Sequence, residues 1–184
     1  MPRITPVDPT TATGSAKELL DGVKAAIGVV PNIFATFAQS PKVLEGYLAL
    51  NTALGQGQLD PKLREQIALT AAGANNCDYC ASAHTVMGKG AGVDEQELGR
   101  NLHGQSQDST TQVVLNFVRK VVERRGWIDD ADIGTLRAAN FSDGEIVEIV
   151  THIGVNLFTN YFNHIVATDI DFPVVDTAGV PLAA

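Results

Sequence analysis

The 184-residue chain lacks the features that mark nucleic-acid-binding, membrane-spanning and disordered proteins. Its 13 Lys and Arg residues are outnumbered by 21 Asp and Glu residues, for a net charge of -8, whereas phosphate binding needs clustered basic side chains. No uninterrupted apolar run approaches the length of a membrane span. With 45% hydrophobic and 18% charged residues, the composition is globular. We therefore expect one globular domain over residues 1–184, with neither nucleic acid nor membrane as a partner.

Cysteine is almost absent, because Cys77 and Cys80 are the only two in the chain. The first six residues, Met1–Pro6, contain no apolar segment of the kind found in secretory signals, so we expect a cytoplasmic protein. In a reducing compartment a close pair of cysteines is more often redox-active or metal-binding than a structural crosslink.

Strand and hairpin signals are also missing, and every strongly periodic segment has helical spacing. Caps, prolines and glycines divide the chain into predicted helices at about 15–27, 31–37, 40–54, 60–72, 77–88, 94–102, 113–122, 129–139 and 142–164. Residues 1–13 are predicted to be an extended lead-in, and residues 172–184 an irregular tail. The fold class predicted from these signals is all-α.

The two cysteines lie at the start of a predicted helix, where Cys77, Cys80 and His84 share one face. The preceding helix, folded back at 73–76, carries Glu65 roughly 12 Å before the break, and His84 lies roughly 10 Å after Cys77. The carboxylate and the imidazole are therefore expected to meet near the second cysteine. A helix N-terminus stabilises a thiolate, a histidine can take its proton, and a glutamate can orient that histidine. The stretch thus offers a nucleophilic thiol, its base, the group that orients the base, and a second thiol.

Glu65 is followed after eleven residues by Cys77-Asp78-Tyr79-Cys80, and His84 follows after three more. This order resembles the signature of the AhpD-like alkylhydroperoxidases in the carboxymuconolactone decarboxylase family. Residues 59–92 carry most of the resemblance, and Pro31-Asn32-Ile33-Phe34 resembles the lead-in of peroxidase-related members. The resemblance implies an all-helical AhpD-like domain with the cysteine pair at the N-terminus of a helix.

The resemblance also implies a role for each residue of the motif. Cys80 would be the peroxidatic thiol, attacking the O–O bond to give a sulfenic acid that Cys77 converts to a disulfide. His84 and Glu65 would form the proton relay. Tyr79 stands where AhpD has a relay histidine, and a phenol is a poor base at neutral pH.

The partners that the resemblance implies are a small hydroperoxide as substrate and a dithiol electron donor, such as a lipoyl group or a thioredoxin-like protein. It implies a homo-oligomer, a trimer or a hexamer, and neither a cofactor nor a metal ion.

Several alternatives stay open at the level of sequence. The same site could serve a general thiol–disulfide oxidoreductase or a redox sensor. Cys77, Cys80 and His84 could bind a metal ion with Glu65 as the fourth ligand, or the cysteines could be buried and inert. Lactone decarboxylation is disfavoured because it does not call for a cysteine pair. His152 and His164 lie on an apolar helix and are interpreted as core or pocket histidines.

Overall fold

A computed structural model describes residues 1–180, and all regular secondary structure within that range is helical. The fold prediction is therefore confirmed. The helices are α1 (Gly14–Ile27), α2 (Asn32–Phe37), α3 (Pro41–Gly55), α4 (Pro61–Ala74), α5 (Asp78–Gly90), α6 (Glu95–Leu102), α7 (Ser109–Glu123), α8 (Asp130–Ala138) and α9 (Asp143–Val166). None of these helices is both long enough and apolar enough to cross a membrane.

Side-chain caps begin several of the helices at or near their predicted positions. The Asp60 carboxylate accepts the backbone N–H of Lys62 at 2.7 Å, and Pro61 occupies the first turn of α4. The capping box predicted at the start of α9 is also present: Ser142 N–H donates to the Glu145 carboxylate at 2.8 Å, and Glu145 N–H donates to Ser142 Oγ at 3.2 Å. The first helix begins one residue earlier than predicted, at Gly14.

Two glycines that were expected to end helices lie inside them instead. The helix α4 continues through Gly73 to Ala74, and a Cβ on Gly73 would lie 1.9 Å from the carbonyl oxygen of Leu102. Likewise α5 continues through Gly88, where a Cβ would lie 2.5 Å from Leu98 Cδ2. These glycines allow α6 to approach α4 and α5 closely, so their role is packing and not termination. The chain turns at Asn76, whose φ of 51° lies in the left-handed region.

The chain forms two compact units. The first comprises Met1–Gln56 and Phe162–Asp171. Here α3 packs on α1 and α2, and the aromatic rings cluster, with Phe37 at 5.2 Å from Tyr47 and 4.4 Å from Phe162 between centroids. The lead-in of residues 1–13 contains no helix. A hydrogen bond from the Val7 N–H to the Ala35 carbonyl, at 2.9 Å, holds it against α2.

The second unit comprises Gly57–Tyr161 and Phe172–Ala184, of which residues 172–180 are described. Its centre is α4, which packs against α5, α6 and α7. The core combines apolar residues of four helices and the segment before α4: Leu59, Ile67, Ala71, Ala74, Val114, Phe117, Val118, Val122, Leu136, Ile146, Ile149 and Ile153. Residues 172–180 contain no helix or strand, as predicted for the tail; residues 181–184 lie outside the described part of the chain.

Hydrogen bonds at both ends fix the register between α4 and the part of α9 in this unit. The Glu148 carboxylate accepts the backbone N–H of Leu59 at 3.1 Å, just before α4 begins. Past the last residue of α4, Asn75 Nδ2 donates to Asn160 Oδ1 at 2.9 Å. The two segments therefore run side by side in the same direction.

Candidate dithiol site

The turn between α4 and α5 sets the position of both cysteines. Cys77 caps the N-terminus of α5, and its backbone N–H donates to the Ala72 carbonyl at 2.9 Å. Cys80 is the third residue of the helix. Both cysteines therefore lie where the dipole of α5 and the N–H groups of its first turn favour a negative charge.

Cys77 and Cys80 are both in the reduced, thiol state and are almost fully buried, with 1% of Cys77 and 3% of Cys80 exposed. Hydrogen bonding with the Cys80 side chain, burial and the charge of Cys80 raise the pKa of Cys77, and the nearby Asp78 carboxylate adds to the effect. Cys77 therefore keeps its proton, and a negative charge carried by the pair is favoured on Cys80.

The hydrogen bond expected across the α4–α5 hairpin is present. His84 Nδ1 and Glu65 Oε2 lie 2.8 Å apart, and about a fifth of each side chain is exposed. Burial tends to lower the pKa of His84, but the charge of Glu65, its hydrogen bond and the charge of Cys80 together raise that pKa above its ordinary value. Glu65 and Cys80 therefore favour the imidazolium form of His84.

A residue of α9 completes the surroundings of Cys80. Thr159 Oγ1 lies 3.9 Å from Cys80 Sγ, within hydrogen-bonding range for sulfur, and Thr159 is itself buried. The sequence analysis did not identify this threonine. One feature of the sequence could have pointed to it, namely the polar residues on an otherwise apolar helix: His152, Asn156, Thr159 and Asn160. The structure buries all four, and buried polar groups usually have a partner.

The structure places Tyr79 against the tail. Its ring meets that of Phe172 edge to face, with centroids 5.7 Å apart, and the residue is buried. Next to it, Thr177 donates to Asp78 Oδ1 through its backbone N–H at 2.9 Å and its hydroxyl at 2.6 Å. Residues 172–180 therefore cover the first turn of α5. A part for Tyr79 in the proton relay stays a prediction.

The other candidate histidines differ in their surroundings. His152 is buried in the second unit, close enough to Glu65 and His84 for their charges to act on it. His164 lies on an exposed part of α9 in the first unit. Among residues 1–180, no group of three or more His, Cys, Asp or Glu side chains is arranged to hold a metal ion, so the metal-binding alternative gains no support.

The fold and the site together define an all-helical dithiol protein, with its cysteine pair at a helix N-terminus beside a Glu–His pair. Residues 41–123 match the carboxymuconolactone decarboxylase family model. A curated relative, an uncharacterized protein of Haemophilus influenzae, is 49% identical over 47 residues, which are 25% of this chain and 42% of that protein.

Solved structures extend the likeness over most of the chain. An uncharacterized peroxidase-related protein with an alkylhydroperoxidase AhpD core, from Ralstonia eutropha JMP134, has a TM-score of 0.84 at 21% identity, covering 92% of each chain. A peroxidase-related protein from Silicibacter sp. TM1040 has a TM-score of 0.77 at 25% identity, covering 91% of this chain and 88% of that one. The debrominase Bmp8 shares the fold, with a TM-score of 0.76 at 18% identity over 91% of each chain. The resemblance to the carboxymuconolactone decarboxylase family is therefore confirmed over residues 41–123, and the AhpD-like fold over most of the chain.

Proposed function

We propose that the protein is an AhpD-like, thiol-dependent peroxidase that reduces small hydroperoxides. The observation that carries this proposal is the 2.8 Å Glu65–His84 hydrogen bond beside a cysteine pair in which Cys77 keeps its proton. A thiolate, an imidazolium and a second thiol are the groups that peroxide reduction requires. The family and the peroxidase-related proteins of the same fold support an oxidoreductase with an antioxidant role.

In the first step the Cys80 thiolate attacks one oxygen of the hydroperoxide. An S–O bond forms, the O–O bond breaks, and the departing alkoxide takes a proton from His84, which leaves an alcohol and a Cys80 sulfenic acid. Glu65 keeps His84 charged before this transfer, because its carboxylate accepts the Nδ1 hydrogen. Sulfur is oxidised by two electrons and the peroxide is reduced by two.

In the second step the Cys77 sulfur attacks the Cys80 sulfenic sulfur and releases water, with the thiol proton going to the departing hydroxide. The direct effect of the Cys80 side chain on the pKa of Cys77 supports this attack between neighbouring sulfurs. A dithiol donor then reduces the Cys77–Cys80 disulfide through a mixed disulfide and is itself oxidised. The thiol proton that returns to Cys80 recharges His84.

The burial of both thiols bears on the size of the substrate and the donor. With at most 3% of either cysteine exposed, a bulky peroxide or a broad protein surface has no direct access to the sulfurs. Burial therefore favours a small hydroperoxide and a slender dithiol, such as a lipoyl group, over a thioredoxin-like protein. We infer a cytoplasmic setting, where dithiol donors keep such a pair reduced.

We also propose that the protein assembles into a homo-oligomer, a trimer or a hexamer. The second unit exposes large apolar side chains at Val147, Val150, Phe158 and Tyr161, spaced by three, eight and three residues along one helix. Such a row is unusual on the surface of a monomer and is favourable to bury between subunits. Light scattering after size-exclusion chromatography would measure the subunit number.

Peroxide consumption coupled to a dithiol donor tests the peroxidase function. Wild type should turn over small alkyl hydroperoxides faster than the free dithiol does, whereas Cys80→Ser should lose the activity. Cys77→Ser should form the sulfenic acid once and then stop. The proposal fails if wild type does not exceed the free dithiol, or if both variants keep full activity.

A general thiol–disulfide oxidoreductase or redox sensor would also form the Cys77–Cys80 disulfide, but would react slowly with peroxide. Stopped-flow measurement of thiol oxidation separates the two functions. The debrominase Bmp8, which has this fold, was solved in complex with 2,3,4-tribromopyrrole, so the assay should include that compound as a second acceptor of two electrons. Loss of bromide without peroxide turnover would replace the peroxidase proposal.

A further inference from the structure

Thr159 brings a hydroxyl group from α9 to the sulfur that reacts. Its Oγ1 atom lies 3.9 Å from Cys80 Sγ, and the two residues are only 4% and 3% exposed. A buried hydroxyl needs hydrogen-bond partners, whereas a valine would fill nearly the same space without that need. The steps of the proposed reaction make no use of this hydroxyl.

A side-chain hydrogen bond fixes α9 at the level of the cysteine pair. Asn160, the residue after Thr159, accepts from Asn75 Nδ2 at 2.9 Å. Asn75 is the C-cap of α4 and lies two residues before Cys77. The hydroxyl of Thr159 is therefore held beside Cys80 by a contact that involves neither the hydroxyl nor the sulfur.

While Cys80 is a thiol, the Thr159 hydroxyl accepts from it and directs its own hydrogen elsewhere. The thiol donates to Thr159 Oγ1, and the hydroxyl donates to the carbonyls of Val155 at 3.3 Å and Asn156 at 3.1 Å. In an α-helix these carbonyls also accept the backbone N–H groups four residues later. The hydroxyl hydrogen can therefore turn away from them without leaving a buried carbonyl unsatisfied.

Loss of the thiol proton changes what the Cys80 sulfur needs from its neighbour. A thiolate can only accept hydrogen bonds, and a hydroxyl can donate as well as accept by rotating its hydrogen. A hydrogen bond to a charged acceptor is stronger than one between neutral groups, and burial strengthens it further. After this rotation, Thr159 stabilises the thiolate more than it stabilised the thiol.

We propose that Thr159 is a catalytic residue of the dithiol site, whose hydroxyl accepts a hydrogen bond from the Cys80 thiol and donates one to the Cys80 thiolate. The hydroxyl keeps its own hydrogen throughout, and the thiol proton passes to His84 as in the proposed reaction. The result is a larger fraction of Cys80 that is ready to attack a peroxide. The inference rests on the proposed function only for that attack, because the thiolate can be measured without a peroxide.

The test follows the ultraviolet absorbance of the thiolate against pH in the reduced Cys77→Ser protein, where Cys80 is the one remaining cysteine. The Cys77→Ser/Cys80→Ser double variant serves as the blank. Thr159→Val, which lacks the hydroxyl but has nearly the size of threonine, should move the thiolate signal to higher pH. At pH 7 iodoacetamide should alkylate this variant about threefold to tenfold more slowly than its parent, as expected for a charged hydrogen bond weakened by its length. At a pH where both proteins are fully ionised, the two rates should converge.

The charged groups around Cys80 are the same in every protein compared. The charge of Cys80 acts on His84, which Glu65 on α4 contacts at 2.8 Å, and Asp78 lies two residues before Cys80 on α5. Since all variants retain these three groups, a shift between them reports the hydroxyl.

Three further variants separate the hydroxyl from packing. Thr159→Ser restores the hydroxyl and should recover most of the rate. Thr159→Ala also lacks it and should shift the titration in the same direction as Thr159→Val, so the result does not depend on how one variant packs. Thr151→Val is the matched control and should titrate as its parent does, because Thr151 Oγ1 likewise donates to the carbonyl four residues earlier, at 2.8 Å, but two turns before Thr159.

The inference is overturned if the thiolate signal of Thr159→Val superimposes on that of its parent, or if Thr151→Val shifts as far. It also fails if Thr159→Ser is as slow as Thr159→Val, or if alkylation slows by the same factor at every pH, which would mark a change in access to the sulfur. Each of these results leaves peroxide turnover to be judged separately. An absence of turnover in wild type would not alter the titration.

Discussion

Replacing Glu65 by glutamine removes the charge beside His84 while keeping the size of the side chain. In wild type the pKa of His84 is raised because the charge and the hydrogen bond of Glu65, helped by the charge of Cys80, outweigh burial. In the variant, burial should dominate and bring the pKa of His84 below that of wild type. The thiolate–imidazolium form of the site should become less populated at neutral pH.

The expected size of the effect follows from the contact that is lost. A hydrogen bond to a charged group contributes about 1.5–3 kcal/mol, and each 1.4 kcal/mol changes an equilibrium about tenfold. His84 and Glu65 are each only about one-fifth exposed, so solvent screens the contact little. We expect the alkylation rate of Cys80 at pH 7 to fall about tenfold or more in Glu65→Gln.

Alkylation by iodoacetamide across the pH range measures the thiolate directly, and NMR titration follows His84. Glu95→Gln is the matched control, because Glu95 also accepts a charged hydrogen bond, from Lys89 Nζ at 2.9 Å, but on the surface. The control should alkylate as wild type does. An unchanged His84 titration in Glu65→Gln, or an equal loss in the control, would refute the reasoning.

The same pair links stability to pH. Since folding raises the pKa of His84, the pairing contributes stability that is fully present below the ordinary pKa of 6.5 and is lost as pH rises through the folded-state pKa. Glu65→Gln should therefore lose more stability at pH 5.5 than at pH 9, as measured by chemical denaturation. A loss that grows with pH would contradict this sign.

Two further predictions concern packing and the tail. Gly73→Ala should lower the free energy of unfolding by about 1–3 kcal/mol or more, because its Cβ would meet the Leu102 carbonyl oxygen. Gly99→Ala, in open space on α6, should instead raise the free energy of unfolding by about 0.5–1 kcal/mol. Urea denaturation measures both variants, and equal effects would contradict the packing argument. Thr177→Val removes the 2.6 Å hydroxyl hydrogen bond to Asp78 that helps to hold the tail on α5, so alkylation of the dithiol should become faster at every pH. An unchanged rate would show that the tail does not limit access.

The helical fold was predictable because its signals are local. Caps such as Asp60, the proline that follows it, and the capping box at Ser142 act within a few residues, so they can be read from the sequence. The ends of α4 and α5 were harder to predict, because Gly73 and Gly88 serve contacts with a helix that arrives later in the chain. A glycine that ends a helix and one that admits a neighbouring helix look alike in sequence.

The candidate site likewise has parts that could be predicted from the sequence and parts that could not. The distance from Glu65 to His84 was predictable since one hairpin connects them, and the spacing within α5 placed the cysteines. Thr159 was not found, because it reaches the site from a helix some eighty residues further along the chain, whose direction depends on contacts at both of its ends. The polar residues of that helix are visible in the sequence, but long-range register decides which of them lies beside a cysteine.

The most direct test of the central account is mass spectrometry of the reduced protein after one equivalent of a small alkyl hydroperoxide. Wild type should lose two hydrogens by forming the Cys77–Cys80 disulfide, and Cys77→Ser should gain one oxygen on Cys80 that dimedone traps. Cys80→Ser should remain unmodified on the same timescale. A Cys80→Ser protein that is oxidised at Cys77 as fast as wild type would contradict the assignment of Cys80 as the attacking thiolate.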